Sequence, residues 1–452
     1  MTIPTATTNP NAMTDPTAMT SPAATDPDAG SPAGSGSPTG TGAGPLPDPA
    51  ALLDEYTPGD FYFSTDRYTM LGAGGVHVGA AVPSAASGDA VRAALREAGP
   101  TGGRPARVVG AVPFDTSRPA RLAIPERLRI IGGGDSGGPA EHGHEGRGQA
   151  ERSGVGARGE LEAFSVTAVP SPEDHIAAVD EALSTMHRSP ELHKLVLART
   201  LHLRPGEAVD PLRVLRILAR RHPEAYTFAA EIPGGPEGGP RALVGASPEL
   251  LAARRGDAVR SCPLAGSAAR SADPAEDRRR AEALQASAKD QVEHAIVVDA
   301  IAESLRPLCR TLEVPRRPEL VATPTMWHLA TPIAGTVADA AITALDLALA
   351  LHPTPAICGA PAAAAHAEIG RIEGFDRGFY SGFVGWCDAR GDGEWAIAIR
   401  CAEVDAAGAR LFAGGGIVAG SDPAAELAET SAKFRTMVDA IDEAVRAAPV
   451  RG

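Results

Sequence analysis

The stretch from Leu411 to Lys433, L-F-A-G-G-G-I-V-A-G-S-D-P-A-A-E-L-A-E-T-S-A-K, organises the reading of the chain. An apolar start leads to Gly414, Gly415 and Gly416, a second apolar pair and a helix start. Asp422 before Pro423 predicts an N-cap: the Asp side chain satisfies free backbone N–H groups, and proline's fixed φ suits the first helical position. Glu426, Glu429 and Lys433 follow at i, i+3 and i+7. At about 100° per residue they fall within roughly 60° of one another on one face. Leu427, Phe434, Met437, Val438, Ile441 and Val445 form an apolar stripe beside it. One side of this helix therefore packs, and the next presents two carboxylates and an ammonium. Glycines let backbone N–H groups approach a ligand closely. Anion-seeking amides beside paired carboxylates fit a metal that bridges protein oxygens to an acidic ligand. A solvated E-x-x-E face after a glycine loop is the plainer alternative.

The chain has 452 residues, ample for a large core in one or two domains. Its 42 basic and 56 acidic residues leave a net charge of −14, which argues against nucleic acid or an anionic membrane as partner. Five cysteines, without C-x-x-C spacing, read as free thiols in a reducing cytoplasm. No apolar stretch is long enough to span a bilayer. Residues 1–47 are rich in Ala, Pro, Thr and Gly with little to bury, and carry no signal-peptide pattern, so a disordered tail is expected. Residues 48–448 are expected to form one domain, with a flexible Gly-rich insertion at 132–159. His142 and His144 in that insertion read as loop residues, because a flexible segment holds metal ligands poorly.

Strand-like alternation recurs between positions 61 and 131, then at 161–169, 194–199, 225–232 and 241–245. Asp273-Pro274 predicts the cap of one long helix reaching about residue 305, and 380–387 with 394–403 predicts a hairpin. Period two places Lys194 on a strand face with Val196 and Ala198. Desolvation there disfavours the ammonium and makes a general base; pattern alone favours a strand-end lysine that snorkels to water. Glu249 lies in a turn between apolar runs, where burial would make it a proton donor and exposure a plain turn residue. Asp290 and Glu293 form a second i, i+3 acidic pair. If the two helices meet, the two pairs supply the oxygen ligands magnesium takes. His328, beside Trp327, reads first as a satisfied core residue. Arg400 shares an expected strand face with Ala398 and Ala402 and needs an anion, either a ligand carboxylate or a structural partner.

The runs G-A-S-P-E-L-L, P-L-A-G-S-A-A-R, T-M-W-H-L-A-T-P-I-A-G, L-H-P-T-P-A-I-C-G, F-D-R-G-F-Y-S-G-F-V-G-W-C-D, G-E-W-A-I-A-I-R-C-A-E-V and F-A-G-G-G-I-V resemble the chorismate-utilising enzymes. Among these the chain is most similar to isochorismate synthases of the type that feeds catecholate siderophores through 2,3-dihydroxybenzoate. The resemblance covers roughly residues 56–447, densest from Gly245 onward. It implies an α+β fold like anthranilate synthase component I: two large antiparallel sheets packed together, helices outside, and the active site in a cleft between them.

The resemblance also implies roles. Lys194 matches the general base that activates water for attack at C2 of chorismate. Glu249 matches the acid that protonates the departing C4 hydroxyl. Glu293 and Glu429 match direct Mg2+ ligands, and Asp290 and Glu426 an outer pair. The metal is then expected to hold the ring carboxylate. Arg400, Lys433 and the amides of Gly414, Gly415 and Gly416 are left for the enolpyruvyl carboxylate. Gly266 matches a backbone contact near the C4 oxygen, His328 a histidine close to substrate, and Ala356 and Ile357 a wall that limits how the ring turns. Anthranilate synthases carry glutamine at the Lys194 position, and covalent aminodeoxychorismate synthases carry lysine at the Ala265 position, so an aminating role is disfavoured. Salicylate synthases share Lys194 but tend to a polar residue near Ala356. A menaquinone-pathway enzyme and a catalytically silent homologue are further alternatives. The resemblance implies a cytoplasmic isomerase acting on chorismate, compatible with a downstream isochorismatase.

Overall fold

In the computed structural model, which describes residues 50–78, 87–100, 104–132, 164–205, 208–234 and 239–447, the Lys194–Pro205 strand pairs antiparallel with Gly408–Ile417. That register sets Gly416 opposite Val196 and Gly414 opposite Ala198. On its other edge the glycine strand pairs with Cys401–Asp405 only up to Leu411. Among the described residues, the edge beyond Leu411 has no strand partner there. These strands belong to a ten-stranded sheet, and a nine-stranded sheet includes Leu250–Arg255, Gly393–Ile397 and Phe383–Asp388. The pairings within both are antiparallel. A three-stranded sheet of Leu264–Ala269, Met326–Ala330 and Glu319–Ala322 stands beside them.

The two large sheets meet through Phe63, Met70, Phe228 and Phe412 from one and Val109, Val384, Trp386 and Ala396 from the other. On the outer face of the first sheet lie the helices Pro211–Arg221 and Pro423–Arg446, packed through Val214, Leu218, Phe434, Met437 and Ile441. The second sheet is covered by Ala288–Leu305 and Ala344–Leu351, through Val297, Ile301, Leu345 and Leu347. This is the expected α+β sandwich of antiparallel sheets with helices outside. Burial of these side chains, at about 25 cal/mol per Å² of apolar surface, is the main force that holds the layers together.

Asp422 caps its helix as expected, its side chain accepting from the Ala425 N–H. The long helix expected from residue 273 to 305 is two helices, Pro274–Ala286 and Ala288–Leu305. Ser287 lies between them in extended backbone and caps the second, accepting from the Asp290 N–H. The second strand of the expected hairpin stops at Ile397, and Cys401 begins a strand of the other sheet. Arg400 is therefore not on a strand face; it sits in the crossover between sheets with φ +50°. The tail, the Gly-rich insertion and His142 and His144 lie outside the described residues. The five cysteines are free. No helix among the described residues is long and apolar enough to cross a membrane.

Candidate active site

The crossover that carries Arg400 opens onto a cleft between the sheets, with about 670 Å³ of non-atom space including its mouth. Val196, Glu249, Gly266, Glu293, His328, Ala356, Ile357, Arg400, Gly414, Gly416, Glu429 and Lys433 all line it. Of the residues singled out in the sequence, Lys194, Asp290, Gly415 and Glu426 are not on its wall.

Lys194 stands one layer behind. Its side chain is 1% exposed and its Nζ is 3.0 Å from Glu293 Oε1. No acceptor stands in hydrogen-bonding geometry to that ammonium. The expectation of a lysine snorkelling to water fails because the Ala288–Leu305 helix lays Glu293 over it. A Cβ on Gly416 would come 2.2 Å from Glu293 Oε1 and 2.9 Å from Lys194 Cε, so the glycine makes room for the pair. Glu249 is also buried, not in a solvated turn, and its backbone N–H is held by Ser247 Oγ at 3.2 Å. Burial pushes its carboxyl up to about 7, against the opposing pull of the Leu264 N–H and the charges of Lys194, Lys433 and Arg400. Its carboxyl can thus hold a proton near neutral pH.

Arg400 is 5% exposed, and burial lowers its guanidinium to about 10, still charged at neutral pH. It donates from Nη2 to His328 Nε2 at 3.2 Å. The imidazole is held neutral by burial and by Arg400 and Lys433, and its other nitrogen is left to bond the backbone of Gly266. Ser381, at φ +60°, donates its N–H to the Ala398 carbonyl at 2.9 Å, and the Arg400 carbonyl accepts from the Ala246 N–H at 3.1 Å. Two non-glycine residues at positive φ mark a strained junction, held by these backbone bonds. Lys433 Nζ donates to the Gly414 carbonyl at 2.8 Å and pairs with Glu429 Oε1 at 2.7 Å. The cleft thus gathers Arg400, Lys433 and an open strand edge: a site for a carboxylate.

The two acidic pairs lie in one electrostatic neighbourhood: the charges of Glu293 and Glu429 act on Asp290, and that of Glu429 on Glu426. Glu429 Oε1 accepts from Ser267 Oγ at 2.8 Å, and a Cβ on Gly266 would lie 3.1 Å from Asp290 Cβ. Burial raises the Asp290 carboxyl. Burial and the neighbouring Glu429 raise Glu426, while for Glu429 burial is outweighed by Lys433, the Ser267 hydrogen bond and Lys289 together, which lower it. Glu426 Oε1 takes Ser421 Oγ at 2.7 Å and Lys289 Nζ at 3.0 Å, yet its buried Oε2 has no partner. Among the described residues no three acidic, His or Cys side chains are already closed into a ligand set. Lys194, Lys289 and Lys433 each neutralise one carboxylate instead. Oxygen-only donors with one orphaned buried oxygen suit a hard divalent cation that displaces those ammoniums.

Sequence reasoning missed Tyr380, Ser381, Ser267 and Lys289. Tyr380 and Ser381 line the cleft, and their F-Y-S-G run was in view only as a family signature. His294 was also missed. Its Nδ1 donates to the Ala265 carbonyl at 3.1 Å and its Nε2 accepts from Thr331 Oγ1 at 2.7 Å, fixing the irregular stretch at Gly266 of the Leu264–Ala269 strand to the helix of Glu293.

This fold and acid-lined cleft define a chorismate-binding enzyme, and the "Chorismate binding enzyme" family profile matches residues 150–442; the chain belongs to that family. Isochorismate synthase DhbC of Bacillus subtilis is 47% identical over 398 residues, 86% of this chain and 95% of that protein. The solved structure described as 2,3-dihydroxybenzoate-specific isochorismate synthase DhbC of Bacillus anthracis superposes with a TM-score of 0.77 at 40% identity, covering 87% of this chain and 99% of that one. Anthranilate synthase component I of Streptococcus pneumoniae shares the fold, with a TM-score of 0.63 at 20% identity over 82% of this chain and 92% of its own.

Proposed function

We propose that the protein is an isochorismate synthase, an isomerase that adds water at C2 of chorismate and expels the C4 hydroxyl as water. The observation that carries this is a buried acid on the cleft wall, Glu249, with its carboxyl raised to about 7, and a buried lysine, Lys194, behind that same wall. Lys194 removes a proton from the attacking water. Glu249 delivers its proton to the leaving C4 oxygen. The Gly266 backbone and neutral His328 stand beside that oxygen. Arg400, Lys433 and the backbone of Gly414, Gly415 and Gly416 hold the enolpyruvyl carboxylate.

Glu293 and Glu429 would hold Mg2+ directly, with Asp290 and Glu426 outside them. When bound, the ion neutralises the ring carboxylate and fixes its orientation. The carboxylates do the protein's part: they offer oxygen to the ion and leave the cationic end of the cleft to the second carboxylate.

Similarity to enzymes described as DhbC favours a product destined for 2,3-dihydroxybenzoate and a catecholate siderophore, in the cytoplasm. Residues 48–448 are read as the catalytic domain, with the tail and the 132–159 insertion as appendages. The test is product identification. Purified protein is given chorismate and magnesium, with and without ammonium, and the products are resolved by chromatography and mass. Isochorismate in equilibrium with chorismate and no pyruvate is the expected result. Salicylate with pyruvate, an aminated product, or no turnover would each overturn it.

A further inference from the structure

Behind the cleft, and not on its wall, lies a buried ion pair that the chemistry does not use. Glu373 is 5% exposed and Arg377 3%. Arg377 Nε donates to Glu373 Oε2 at 2.8 Å, and its Nη2 to Glu373 Oε1. Its guanidinium stacks over the Phe114 ring at 4.5 Å. The remaining contacts go to backbone on two sides of the cleft. Nη1 donates to the Ile357 carbonyl at 2.7 Å and Nη2 to the Val196 carbonyl at 2.9 Å. Glu373 Oε1 accepts from the Ala198 N–H at 2.7 Å. Ile357 and Val196 both line the cleft, and Val196 is two residues from Lys194 on the same strand. The two segments are also joined directly, by the Val196 N–H to the Cys358 carbonyl and the His193 N–H to the Ala360 carbonyl, each at 2.8 Å, and by the antiparallel pairing of Gly359 and Ala360 with Leu195 and Lys194; the ion pair braces the Ile357 side of that junction.

Two charged groups taken wholly out of water are a costly way to add stability, since an apolar pair of the same volume often serves as well. What an apolar pair cannot do is hold two carbonyls and an N–H at fixed separation. We infer that Glu373 and Arg377 are positioning residues that set the gap between the Ile357 wall and the Lys194 strand, and so commit the enzyme to releasing isochorismate intact. The inference rests on the isochorismate synthase reading. The reaction it guards against is elimination. In isochorismate the C2 hydrogen can pass to the enolpyruvyl methylene as the C3–O bond breaks, giving salicylate and pyruvate with no other reactant. That transfer needs the enolpyruvyl arm to fold over the ring toward C2. A wall held close to the strand denies it that room.

The test compares wild type with Arg377→Lys and with the double variant Glu373→Gln/Arg377→Met, assayed for isochorismate and for pyruvate. Arg377→Lys keeps the charge but cannot reach both carbonyls and Glu373 together. The double variant removes both charges at once, so no unpaired ion is left buried. Expected are cooperative melting in both variants, kcat lowered roughly 10- to 100-fold with KM changed much less, and pyruvate release rising from none to a measurable share of turnover. A pair that only stabilised the fold would lower yield or Tm without changing the product ratio. Folded variants with the wild-type kcat and product ratio would overturn the inference. So would a double variant that does not fold, since the pair would then be a folding element. Wild type that makes no isochorismate would instead defeat the functional reading, a separable result.

Discussion

Lys194 and Glu293 form an ion pair with 3.0 Å between Nζ and Oε1, their side chains 1% and 9% exposed. They come from different layers: a strand next to one edge of the ten-stranded sheet and a helix over the other sheet. The cleft therefore exists only where the layers meet, and the proposed base is held in place by a proposed metal ligand.

Replacing Lys194 or Glu249 with Ala is expected to lower kcat at least about a hundredfold, as loss of a general base or acid typically does. Steady-state turnover of chorismate by folded variants measures this. Full activity in either variant would remove that residue from the mechanism.

The pH profile follows from Glu249. Its carboxyl is raised by burial to about 7 from an ordinary 4.5. The acid is competent only while protonated, so kcat/KM is expected to fall as pH rises past about 7. For stability the sign is the same. Between about 4.5 and 7 the folded state keeps a proton the unfolded chain has released, so this group's contribution declines as pH rises through that window. A kcat/KM that stays flat from pH 6 to 9 would mean another group donates the proton.

Much of this site could be read from the chain, for identifiable reasons. The glycine strand and capped helix after it are local, so helical spacing alone puts Glu426, Glu429 and Lys433 on one helix, of which Glu429 and Lys433 reach the cleft wall and Glu426 does not. Arg400 was misplaced because alternation continues unbroken through Ala396, Ile397, Ala398 and Ile399 while the chain changes sheets. Nothing local signals that crossover except the φ of Arg400 itself. The helix break at Ser287 lacked glycine or proline, and only the Ser287–Asp290 cap spacing announced it. Burial of Lys194 and Glu249 depends on layers far away in sequence, which pattern cannot supply; the family resemblance supplied it.

Deleting residues 1–45 is expected to leave kcat and KM within about twofold of the full chain, because compositionally polar termini rarely carry a core. Chorismate turnover by the truncated protein decides it. A large loss would make the tail a working part of the enzyme.

Glu426→Gln is expected to weaken Mg2+ binding roughly 10- to 100-fold, the usual effect of losing a residue that supports metal ligands. Calorimetric titration of the protein with Mg2+ reads this without relying on turnover. Removing the carboxylate also frees Lys289, now 3.0 Å from Glu426 Oε1. Unchanged Mg2+ affinity would place the ion away from this carboxylate.

Arg400→Lys tests the anion end. The guanidinium donates to His328 Nε2 at 3.2 Å and has further N–H groups for a planar carboxylate. Lysine keeps the charge but loses the fork. Charge-assisted hydrogen bonds are worth about 1.5–3 kcal/mol, so KM for chorismate is expected to rise roughly 10- to 100-fold. The product should still be isochorismate, since Lys194 and Glu249 are untouched. A KM near wild type, with kcat alone reduced, would instead assign Arg400 to the reacting ring and leave Lys433 and the glycine strand to hold the carboxylate.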